Sequence, residues 1–323
     1  MPCMQQGLPA LEHLGISHKG QYRCSYSHLC VGRALLPRLR SLCYTTQSMV
    51  LGCADDQLRH LDIFGCACES CGKPVYTPPL NELLAGYLRL ETLTLHYTIL
   101  NTLFQYETLR LPSEDAPPIA LPVLRKLTIK TGQPIPPACF PRLVFPETCL
   151  LHLVCPAWYQ GPLRNLIRDP LRSISQVVNA HVLCISRNPW GFVTFRASIA
   201  HSECLQLEIW AASMDAALFK FGKSLCPHMP QVTTLTIDDH SRPDNVHGSD
   251  HAPMPGLQCL LAALPSLRRL HIGRVDSGDS QALHILNEGF PAGGDYLCAH
   301  FEQMSIVWSL HDDEQRDTGL PAP

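Results

Sequence analysis

One short pattern, Leu-x-x-Leu-x-(Ile/Leu), returns along the whole chain and leaves it few folds to choose from. It is clean in LEHLGI at 11–16, LRHLDI at 58–63, LETLTL at 90–95, LRKLTI at 124–129 and LRRLHI at 267–272. Looser copies keep the last two apolar positions and end at Tyr44, Leu153, Ile185, Ile209, Ile237 and Ile306. Successive copies end between 19 residues apart (44 to 63) and 35 residues apart (237 to 272), a spread that straddles the roughly 20–29 residues of a leucine-rich repeat with insertions. The last residues of each copy alternate apolar and polar, the period of a strand with one buried face.

Helical stripes fall between the copies. In MDAALFKFGKSLC, Met214, Ala217, Leu218, Phe221 and Leu225 share one face, and the segment stops before Pro227. LNELLAGYL at 80–88, PLRNLIRDPLRSISQVV with a break at Pro170, and QALHILNEGF at 281–290 read the same way. Many of the 28 prolines stand just before strands or in connections, where a missing ladder donor does no harm. The expected fold is therefore α/β: an irregular leucine-rich-repeat solenoid of parallel strands joined by right-handed helical or irregular crossovers. It would occupy residues 1–310 as about eleven repeats, with 311–323 a polar, disordered tail.

Composition narrows the function. Hydrophobic residues make up 46% and charged residues only 16%, against a usual charged share of about a quarter, so a packed core is expected. With 25 basic and 28 acidic residues interspersed, the net charge of -3 offers no footprint for nucleic acid. No apolar run reaches the roughly 20 residues of a membrane helix, and the start has no leader pattern, so a cytoplasmic or nuclear protein with no membrane partner is expected. Most of the 16 cysteines then read as small buried hydrophobes and not as disulfides.

LPSLRRLHI, LPVLRKLTI, LCPHMPQVTTLTI and LCAHFEQMSI resemble the repeat portions of fungal F-box-like proteins. That resemblance, over essentially the whole chain, implies a protein-binding scaffold acting as substrate receptor of a cullin-RING ubiquitin ligase, with an N-terminal F-box docking the adaptor. A repeat strand already begins at Leu11, which leaves no room ahead for an F-box. PPLNELLAGYL at 78–88 has only a superficial likeness to an F-box opening. A cullin-RING adaptor is thus an expected partner only if an F-box is missing from this chain. The alternative is a truncated or degenerate repeat protein with a structural role or none.

If the strands line an inner surface, the side chains turned from the core are the binding candidates. The residue between the two buried positions of each copy is Gly15, Cys43, Asp62, Thr94, Thr128, His152, Cys184, Glu208, Thr236, His271 or Ser305. The residues that follow the copies include Phe64, His96, Lys130, Val154, Trp210, Asp238 and Gly273. From these, Phe64, His96, Lys130, Glu208, Trp210, Asp238 and His271 form the expected partner site, with Trp210 and Phe64 as aromatic anchors.

No enzyme signature stands out. Cys66, Cys68 and Cys71, with Cys53 and His60 upstream, contain one C-x-x-C knuckle but no second, so they are weak zinc candidates and no metal or other cofactor is expected. His240, His247 and His251 lie in a Ser-, Pro- and Gly-rich stretch without ligand spacing, and Gly222–Ser224 lacks the leading glycine of a phosphate loop.

Overall fold

The computed structural model describes residues 8–16, 29–30, 36–45, 49–50, 57–64, 84, 86–96, 119–130, 143–155, 175–239, 255–275 and 302–308. The strands are β1 His13–Ile16, β2 Leu29–Cys30, β3 Ser41–Thr45, β4 Met49–Val50, β5 His60–Phe64, β6 Thr92–His96, β7 Ile119–Ala120, β8 Lys126–Lys130, β9 Leu143–Val144, β10 Leu150–Val154, β11 Val182–Arg187, β12 Phe192–Ile199, β13 Ser202–Trp210, β14 Thr234–Asp239, β15 Arg269–Val275 and β16 Gln303–Trp308. The helices are α1 Ser175–Val178, α2 Met214–Ser224 and α3 Pro255–Ala262, with a 3-10 turn at Cys226–His228.

Twelve of these strands form one sheet, in the order β1-β3-β5-β6-β8-β10-β13-β12-β11-β14-β15-β16. Every copy of the repeated pattern supplies one of its strands. A turn of fixed chemistry starts several of them. The backbone N–H of Leu39, Leu124, Val232 and Leu267 donates to the carbonyl three residues back, at Leu36, Leu121, Met229 and Leu264. In each case proline follows the acceptor, the position where its fixed φ suits a type I turn. The carbonyl at the end of one turn then accepts two N–H groups from the neighbouring strand: Arg40 O from Arg59 and His60, Arg59 O from Glu91 and Thr92, Glu91 O from Arg125 and Lys126. This repeated pairing locks adjacent strands into one register.

The apolar positions point to one side. Leu61, Ile63, Leu93, Leu95, Leu127, Ile129, Leu151, Leu153, Leu183, Ile185, Leu235, Ile237, Leu270 and Ile272 belong to a single core, each worth about 1.5–3 kcal/mol when fully buried. Helix α2 closes that side, burying the expected stripe of Met214, Ala217, Leu218 and Phe221. Its start is capped by Ser213, whose hydroxyl accepts from Ala216 N at 3.1 Å. Gly222–Ser224 lies inside this helix.

The strands are not all parallel, which corrects the uniform parallel array. FVTFRASI forms β12, antiparallel to both β11 and β13. The reason is length. Only residues 188–191 separate β11 from β12, and only Ala200 and His201 separate β12 from β13, whereas a parallel return needs a crossover of about a dozen residues or more. Asn188 shapes the first turn by accepting from Trp190 N and Phe192 N through its side chain, and Gly191 takes the left-handed φ of 82° that this turn requires. The meander also reverses chain order, for β13 lies beside β10 and β11 beside β14.

Of the other helical expectations, Leu84 within 80–88 is helical while 86–88 have left the helix, and Ser175–Val178 is a helical turn. The stretches 281–290 and 311–323 lie outside the described residues, as do Cys53, Cys66, Cys68, Cys71 and the 240–253 segment. No helix among the described residues is long and apolar enough to cross a membrane.

Candidate functional site

The side of the sheet away from the core carries the remaining strand residues. Register aligns Phe64, His96, Lys130, Val154, Glu208, Thr194, Ser186, Asp238 and Gly273 in one row across it, because each stands one position beyond a shared core pair. A second row, two residues away along each strand, holds Cys43, Asp62, Thr94, Thr128, His152, Gln206, Arg196, Cys184, Thr236 and His271. Five of the expected site residues (Phe64, His96, Lys130, Glu208 and Asp238) thus share one row, and His271 belongs to the next.

Trp210 does not share that row. In β13 the core pair is Leu205 and Leu207, matching Leu151 and Leu153 of β10, so Glu208 aligns with Val154 and Gln206 with His152. The repeat pattern of CLQLEI places the core pair at Leu207 and Ile209, two residues further along than the pairing with β10 does. Trp210 therefore stands one pleat beyond Glu208, opposite Phe192 of β12. Its indole lies close to Gly191, where a Cβ would come within 3.0 Å of Nε1. Trp190, in the same turn, is 77% exposed. The aromatic residues Trp190, Phe192 and Trp210 so gather at one end of the β12–β13 ribbon, a grouping that the reading of repeats missed because β12 is not a repeat copy.

The two rows approach each other on the left of the face. His96 Nε2 lies 3.3 Å from Asp62 Oδ1, and its ring packs on Phe64 with centroids 3.9 Å apart. Further along, His152 Nε2 lies 3.0 Å from Glu208 Oε1, and Gln206 Nε2 donates to the same oxygen at 2.8 Å. Glu208 is only an acceptor, so the imidazole proton in that bond sits on Nε2. His152 Nδ1 is buried without a hydrogen-bond partner among the described residues. Burial is the main cause that holds the His152 pKa below its usual value; Glu208 opposes the shift, and the charges of Lys126 and Lys130 deepen it.

Thr128 was expected to face solvent and is instead only 5% exposed, the sole buried polar residue among those described. It lies between Thr94 and His152 on the open face, with Lys126 and Lys130 two residues to either side along β8. On the right, Asp238 leans over Gly273, and its carboxylate occupies the space a Cβ there would need. His60, weighed as a fourth zinc ligand, places Nδ1 2.8 Å from Thr92 Oγ1.

Chemistry is sparse on this face. Cys43 and Cys184 have thiol pKa values pushed up by burial, away from nucleophilic thiolate. Among the described residues no three His, Cys, Asp or Glu side chains converge as metal ligands. Comparison of this chain with models of protein families, with curated proteins and with solved structures finds no match to any of them.

Proposed function

We propose that this chain is a protein-interaction module: an irregular leucine-rich-repeat solenoid whose open sheet face receives a segment of another protein. The observation that carries the reading is the register row Phe64, His96, Lys130, Glu208 and Asp238, which sets an aromatic ring and both signs of charge side by side on five strands opposite an apolar core. Aromatic anchors set among polar groups are what binding surfaces concentrate. The F-box-like resemblance extends the proposal to a receptor that delivers its bound protein for ubiquitination through a cullin adaptor.

The test is affinity capture with mass spectrometry, followed by measurement of the captured protein against Phe64→Ala and Trp210→Ala. Each substitution should weaken binding by roughly tenfold, the scale of an interface anchor, while the melting temperature falls by no more than about 4 °C. Unaltered affinity in both variants would overturn the docking face and leave the degenerate repeat protein as the reading. Adaptor recovered with the wild-type chain supports the ligase role; its consistent absence removes that role alone.

A further inference from the structure

We draw no further inference here: the strongest candidate, the aromatic patch of Trp190, Phe192 and Trp210 at one end of the β12–β13 ribbon, carries nothing further because nothing in the structure shows what covers it.

Discussion

His152 shows how one residue on a sheet face acquires a pH response. Its ring is half in the sheet, its Nε2 is committed to Glu208, and its Nδ1 has no acceptor among the described residues for a second proton. Protonation therefore adds a charge that burial and two neighbouring lysines resist. An unfolded chain takes up that proton near the ordinary value of 6.5, and the folded chain only at lower pH. Between those two values the unfolded state binds more protons, so the contribution to stability is complete above 6.5 and is lost as the pH falls below it. In His152→Gln the drop in urea midpoint between about pH 7.5 and pH 5 should be smaller than in the wild type. An identical drop would show that His152 titrates normally in the fold.

At the scale of elements, α2 and α3 pack closely against each other. Asp215 near the start of α2 accepts from Gly256 N at 2.8 Å and Leu257 N at 3.3 Å, so one helix caps the other. Burial raises the Asp215 pKa, and those two N–H bonds oppose the rise. Gly222 completes the contact: a Cβ there would meet Leu260 N at 2.7 Å and Cys259 backbone atoms at 2.8 Å. Backbone cannot yield as a flexible side chain would. Alanine is the better helix former by about 1 kcal/mol, but overpacking of this kind costs about 1–3 kcal/mol. Gly222→Ala should accordingly destabilise the protein by roughly 1 kcal/mol, measured by urea unfolding. A more stable variant would mean that the helices are less closely apposed.

The whole sheet is organised by its two sides, and β12 tests that organisation because it is not one of the repeated strands. Phe195 is fully buried against Phe221 of α2, with ring centroids 4.4 Å apart. Arg196, the next residue, faces the other way and approaches Glu203 only to 3.7 Å in a half-exposed pair. Phe195→Ala should cost about 3–5 kcal/mol, and Arg196→Ala no more than about 0.5 kcal/mol. Comparable losses in both would show that β12 does not divide the two sides in this way.

Local sequence determined the repeated strands and their alternation, because alternation and the prolines that precede strands act over a few residues. LRHLDI, LETLTL and LRKLTI each place the same two residues in the core. Phe64, His96, Lys130 and Asp238 were legible as one row on the same basis, whereas the repeat pattern set Glu208 among the residues between core pairs. FVTFRASI carried a strand's alternation too, and the short connections on either side already required it to run antiparallel, but it lacks the leucines of a repeat. Tertiary structure alone decided the rest. Leu205 and Leu207 were as good a core pair as Leu207 and Ile209 until pairing with Leu151 and Leu153 chose between them. That choice brought Glu208 to His152, moved Trp210 one pleat onward and turned the meander so that β13 meets β10. A period of two residues says which side chains share a face; only the neighbouring strand says which of them stand side by side.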